Sequence, residues 1–149
     1  MKKREQDFEL VFHCYNLPGR EFDGQTEIRL GIQRGDSVRE DVPADREEVV
    51  FTFPLRALFN PETAQVDFRG PFVQGKRDER FVYFVWGVRD GDHWITIRRA
   101  KFYLRFLDPE RLNRARDSGQ PISLRLEMTD AKGKPLTASI RESSFQFLP

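Results

Sequence analysis

The sequence predicts a mainly β domain, an antiparallel β-sandwich with a closed barrel as the alternative, carrying one or two short helices. Three observations lead there. Short apolar alternations recur along the chain and are broken every few residues by Gly, Pro or Asn. The central stretch, residues 67–104, holds both tryptophans and the longest apolar run, residues 81–88. Only one segment, residues 108–119, carries helix signals at both ends. A length of 149 residues suits a single domain over 1–149 with room for a real core.

In the central stretch, Asp90-Gly91 suits a two-residue type I′ turn and would pair residues 80–89 with 92–98. Arg89 then opposes Asp92, Val88 opposes His93, Trp86 opposes Ile95 and Phe84 opposes Ile97; with Val82 these make one apolar face. The other face carries Phe81, Tyr83, Val85, Gly87, Trp94, Thr96 and Arg98. A strand apolar on both sides is a central one, so this second face is expected under a helix or loops, or lining a pocket. Continuing the alternation would bury Arg99, Lys101 and Arg105 without partners, at heavy desolvation cost. One extra residue near Arg98-Arg99 returns Ala100, Phe102 and Leu104 to the core, which predicts a β-bulge there.

The flanks read as further strands. Residues 8–15 alternate with Phe8, Leu10, Phe12 and Cys14 on one side, and residues 26–34 with Ile28, Leu30 and Ile32 inward. Residues 35–47 are polar and charged and read as an excursion loop. Residues 48–53 form a strand ending at Pro54, residues 55–59 one helical turn, and residues 64–69 another strand stopped by Gly70-Pro71. Asp108-Pro109 is an N-cap with proline at the first helical position; Leu112 and Ala115 mark the buried side, and Gly119 ends the helix. Ile122, Leu124, Leu126 and Met128, the turn 130–133, and Leu136, Ala138 and Ile140 read as a second hairpin, with Phe145 and Phe147 in a last strand.

Four blocks, RGPFVQG (69–75), FVYFVWG (81–87), RRAKFYL (98–104) and TDAKGKP (129–135), together resemble an uncharacterised bacterial family, a domain of unknown function. Its members similarly open with a strand and a Leu-Pro-Gly turn, here Leu17-Pro18-Gly19. The resemblance covers nearly the whole chain except a charged insert, residues 34–48, where this chain departs. It implies one bacterial domain and brings no activity, cofactor or catalytic residue.

Charge and composition bound the function. With 25 basic and 24 acidic residues the net charge is +1, so no global field draws the chain to nucleic acid or anionic membrane. The lone Cys14 excludes an internal disulfide and any multi-cysteine metal site, and points to a reducing, cytoplasmic setting. The N-terminus has no apolar signal region, and no apolar run is long enough to span a bilayer. No nucleophile elbow, Walker loop, H-E-x-x-H or dinucleotide fingerprint is present, so no catalytic constellation is visible and no cofactor is called for. His13 and Cys14 point to opposite faces of a strand and form no dyad. His93 could join Asp90 and Asp92 around a metal, but turn chemistry already explains Asp90 and Gly91, and no metal is predicted.

The favoured reading is therefore a non-enzymatic binding module for a small ligand, anions included, or for a protein partner. Its candidate site joins the 69–75 loop to the central hairpin through Arg69, Gln74, Tyr83, Trp94, Arg98 and Arg99, aromatic walls with fixed polar groups. An enzyme using the same pocket is one alternative. Another is nucleic-acid binding through a basic strand with an aromatic inside it, Arg99, Lys101, Tyr103 and Arg105, followed by Arg111, Arg114 and Arg116 on the helix. Against the latter stand the near-zero net charge and acidic neighbours, Glu110 and Glu127, expected to pair with the stripe.

Overall fold

A computed structural model describes residues 4–22, 24, 27–60, 62 and 66–149. In chain order the strands are β1 (Arg4–Tyr15), β2 (Arg29–Arg34), β3 (Ser37–Pro43), β4 (Glu48–Phe59), β5 (Val66–Arg69), β6 (Val73–Gln74), β7 (Arg80–Asp90), β8 (His93–Tyr103), β9 (Ile122–Glu127), β10 (Ala138–Ser139) and β11 (Phe145–Phe147). Helix α1 (Pro109–Ser118) lies between β8 and β9. Two open sheets result: the first has the order β11-β9-β1-β4-β5, the second β10-β8-β7-β2-β3, with β6 also on β7. The architecture is a sandwich, and no barrel closes. Most pairings are antiparallel, but each sheet holds one parallel pair, β1 with β9 and β8 with β10.

Alternation explains the long strands. β1 buries Phe8, Leu10, Phe12 and Cys14, and β4 buries Val49, Phe51, Phe53, Leu55 and Ala57. From the second sheet come Leu30, Ile32, Val82, Phe84, Trp86, Ala100 and Phe102, all in the same core. Phe12 of β1 meets Phe84 and Phe102 edge-on, with ring centroids 5.0 and 5.2 Å away, so the sheets interlock through phenylalanine. The fully buried Trp86 donates its indole N–H to the Leu136 carbonyl at 3.0 Å, tying the segment after β9 to the second sheet. Helix α1 forms as its signals predict. Asp108 accepts the Arg111 N–H at 2.8 Å, Leu112 and Ala115 are buried, and Gly119 closes the helix with positive φ.

The central hairpin forms with a different turn. Asp90 pairs with His93 and Arg89 with Trp94, so the loop is Gly91-Asp92 rather than Asp90-Gly91. Gly91 has a φ of 60° while Asp92 keeps a negative φ, the pattern of a type II′ turn with Gly first. Val88 therefore opposes Ile95, not His93, and Gly87 opposes Thr96. The bulge is present, at Ile97 rather than at Arg98-Arg99: beyond it Trp86 opposes Arg98, Val85 opposes Arg99 and Phe84 opposes Ala100. Ala100, Phe102 and Leu104 are buried, as the change of phase requires.

Three further expectations are corrected. Residues 35–47 are no excursion loop: β3 folds back on β2, and its charges are those of an edge strand with one open side. Residues 55–59 make no helical turn, because β4 runs straight through Pro54. β5 pairs with β4 only from Arg56 to Phe59, so β4 has an open side where the proline sits. The second hairpin is not a two-stranded unit. β9 joins β1 and β11 in the first sheet, whereas β10 crosses to the second, and only the Thr129–Pro135 bridge links the arms near the turn. Thr26, Ala64 and Gln65, assigned to strands from sequence, lie outside the described residues.

Replacing Trp86 by Phe should keep the ring volume near its place while leaving the buried Leu136 carbonyl without a donor. The expected loss is about 1–3 kcal/mol, read as a lower urea midpoint at unchanged slope.

Candidate functional site

The site is the outer face of the second sheet, and the bulge creates it. Ahead of Ile97 the even-numbered Trp94 and Thr96 share a face with Gly87 and Arg89; after it the odd-numbered Arg99, Lys101 and Tyr103 join that same face. Phe81, Tyr83 and Val85 of β7 lie beside them. Basic groups and rings then interleave. The Arg99 guanidinium sits 5.3 Å from the Tyr83 ring, Lys101 Nζ 4.7 Å from Phe81, and Arg105 4.1 Å from Tyr103. At the turn end, Arg89 covers Trp94 at 5.2 Å. Each contact contributes about 0.5–1 kcal/mol at an exposed position. Phe81 and Tyr103 are buried under this cover, while Arg99 and Arg105 stay exposed.

Close approach at one position fixes the tryptophan. A Cβ on Gly87 would lie 2.6 Å from the Trp94 ring and 2.5 Å from the Ile95 carbonyl oxygen, so only glycine lets the indole lie flat on β7. The Trp94 N–H donates to Thr96 Oγ1 at 3.1 Å.

Next to this face, Asp41 of β3 collects two arginines. Its side chain is only 8% exposed; Oδ1 accepts from Arg29 Nε and Oδ2 from Arg89 Nε at 3.0 Å. Burial pushes the carboxyl up, but the hydrogen bonds and charges of Arg89 and Arg29 outweigh it and hold the group below its ordinary value. Asp67 of β5 behaves alike: burial opposes ionisation, and the bond from Arg80 of β7, which ties the two sheets, overcomes it. Arg29, Arg89 and Arg80 are thus neutralised. Among the described residues no carboxylate pairs with Arg99, Lys101 or Arg105. Glu127, expected from sequence to meet this stripe, lies on the first sheet and holds Arg125 and Asn16 instead.

The residues predicted for one pocket are divided. Tyr83, Trp94 and Arg99 share the face just described, whereas Arg98, though exposed, registers with the inward-facing Trp86 and so is out of phase with that face. Gln74 is exposed on β6, opposite Arg80 at the near end of β7. Arg69 lies across the sandwich. It registers with Arg56 on the outer side of the first sheet and lines a separate groove of about 440 Å³ with Asp7, Glu9, Pro54, Gly70 and Pro71. Among the described residues no three metal-binding side chains converge, at His93 or elsewhere. Cys14 is fully buried, and desolvation drives its thiol far above its ordinary value, which removes it as a nucleophile.

One cluster escaped the sequence reading. On the outer side of the first sheet, Glu48 Oε1 accepts from Tyr15 OH at 3.0 Å and lies 3.3 Å from His13 Nδ1, while Arg125 covers the Tyr15 ring. The hydrogen bond to Glu48 raises the Tyr15 phenol from its ordinary value. The outward phase of residues 13 and 15 was legible, but their partner Glu48 comes from another strand.

The model of a family of unknown function, DUF5990, matches residues 8–147. The chain belongs to that family. No curated protein and no solved structure matches it. No helix of this DUF5990 member, among the described residues, is long and apolar enough to cross a membrane.

Asp41 makes the stability pH-dependent with a definite sign. A carboxyl with its folded pKa below its unfolded one stabilises above the unfolded value, and that contribution fades as pH falls through the folded one. Stability should therefore drop below about pH 4, and the Asp41→Asn variant should lose part of that acid limb in urea titrations across pH.

Proposed function

We propose that this DUF5990 member is a non-catalytic binding module whose ligand is an extended anion, a single-stranded nucleic acid, laid along the outer face of the second sheet. The observation that carries the reading is the line of Arg99, Lys101 and Arg105, each resting on an aromatic ring and none paired with a carboxylate among the described residues. A net charge of +1 hides this local field, because many of the chain's other strand arginines, Arg29, Arg34, Arg56, Arg80, Arg89 and Arg125 among them, pair with carboxylates.

An open face favours a polymer over a small anion. One exposed ion pair yields about 0–1 kcal/mol, whereas several phosphates bound in line add their contributions and release counterions. Outward residues on a strand repeat every ~6.6 Å, which spaces Arg99 and Lys101 along β8; Arg105, expected from sequence on the same strand, follows in the 3-10 turn Leu104–Phe106. The guanidinium planes over Tyr83 and Tyr103 also offer stacking surfaces for planar bases. A compact ligand spanning the 69–75 loop and the hairpin fits less well, since Arg69 faces away on the other sheet. A reducing, cytoplasmic setting accords with the single buried cysteine.

Fluorescence anisotropy with a labelled single-stranded oligonucleotide at low salt tests the reading. Binding should weaken steeply with salt. Arg99→Glu with Lys101→Glu should lower affinity about tenfold or more and flatten the salt slope by about two. Equal binding by the variant, or none by the wild type, would refute it. Retention on heparin without oligonucleotide binding would refute the stacking component.

A further inference from the structure

A second site lies where the chain crosses from one sheet to the other. The turn after β9 and the short 3-10 turn Glu142–Ser144 frame a half-open cavity of about 600 Å³, a volume that suits a small molecule. Its walls carry the hydroxyls of Thr129, Thr137, Ser143 and Ser144 and the side chain of Arg141, with Pro135 and Leu136 as an apolar patch.

These walls are held in place by bonds to the rest of the fold. Trp86 donates to the Leu136 carbonyl, the Leu136 N–H reaches the Met128 carbonyl at 2.9 Å, and the Ile140 N–H reaches the Lys101 carbonyl at 2.8 Å. Tyr103 OH and Ser139 Oγ lie 2.8 Å apart. Between Thr137 and Ser139, Ala138 adopts a φ of 59°, a left-handed conformation that costs a non-glycine residue about 1–2 kcal/mol. The bonds on either side impose that strain, and strain of this kind gathers at ligand sites.

Charge decides what the cavity can hold. Two carboxylates reach it and both are committed. Asp130 Oδ1 accepts the N–H groups of Lys132 and Lys134 at 2.9 and 3.0 Å, and Glu127 holds Arg125 and Asn16. Asp130 keeps its negative charge but is turned to those N–H groups, and Arg141, with no carboxylate partner among the described residues, is the cationic side chain on the walls that can take an anion. Among the described residues no aromatic ring lines the walls, which argues against a nucleobase. Hydroxyls that both donate and accept match a polyol, and a guanidinium fork matches a phosphate.

We propose that this cavity binds a small phosphorylated polyol, with Arg141 on the phosphate and the Thr129, Thr137, Ser143 and Ser144 hydroxyls on the polyol. The site is independent of the basic face of the second sheet.

Calorimetric titration of the intact chain with ribose 5-phosphate, ribose and inorganic phosphate tests it. Ribose 5-phosphate should bind saturably at one site, about tenfold or more tighter than either fragment, because phosphate and hydroxyl contacts add. Arg141→Ala and Arg141→Gln should each weaken binding about tenfold or more. Both truncate an exposed side chain and so leave the core intact. Thr137→Val with Ser143→Ala should weaken it about threefold or more, and Arg99→Glu with Lys101→Glu should leave it unchanged. Absence of saturable binding, wild-type affinity in both Arg141 variants, or phosphate binding as tightly as ribose 5-phosphate would overturn the proposal. Loss of binding in the Arg99/Lys101 pair with retention in the Arg141 variants would move any such ligand to the sheet face.

Discussion

The structure depends on one constraint: arginine and lysine cannot share the interior with Trp86, Phe84 and Phe12. A regular ladder from the Gly91-Asp92 turn would put Arg99 and Lys101 on the face that packs against the first sheet. Desolvating those charges without partners would cost more than the hairpin's other contacts return. Ile97, the extra residue, resolves the conflict by rotating everything after it. Ala100 and Phe102 then reach the core, and Phe102 meets Phe12 edge-on. The same rotation gathers the cations outside, over Phe81, Tyr83 and Tyr103. Core continuity and the basic face are two consequences of a single insertion in the ladder.

The four sequence blocks acquire a physical meaning in this arrangement. The FVYFVWG block supplies Trp86, whose indole is bonded to Leu136 just past the TDAKGKP turn. The RRAKFYL block supplies Tyr103, whose hydroxyl meets Ser139, and Lys101, whose carbonyl accepts the Ile140 N–H. The RGPFVQG block carries the chain between the sheets, with β6 on β7 and the Pro71 carbonyl accepting from the Gly35 N–H. The blocks therefore meet as joints of the sandwich. Arg69, which read as a ligand contact, faces the first sheet's groove instead.

The strongest periodic signals were legible in the sequence. The inward sets of β1, β2 and β7, the helix between Asp108 and Gly119, the bulge and the open sandwich all followed from alternation, capping and the cost of buried charge. Features set by position within a sheet were not legible. β3 reads as a charged loop because an edge strand needs no apolar face, and Pro54 reads as a stop although β4 has an open side there. The turn shifted by one residue because both Asp90-Gly91 and Gly91-Asp92 satisfy local turn chemistry, and cross-strand packing chooses between them. For the site, the interleaving of cations and rings was visible along β8, but the absence of carboxylate partners among the described residues was not. It depends on Glu127 lying on the other sheet, where Arg125 holds it.

The most direct measurement is the register of β7 against β8 in solution, from nuclear Overhauser contacts between the two strands. The predicted pattern pairs Val88 with Ile95, then Phe84 with Ala100 and Val82 with Phe102, leaving Ile97 without an opposite residue. Contacts joining Phe84 to Arg99 and Val82 to Lys101 would mean an unbroken ladder, and the outward line of cations would not exist.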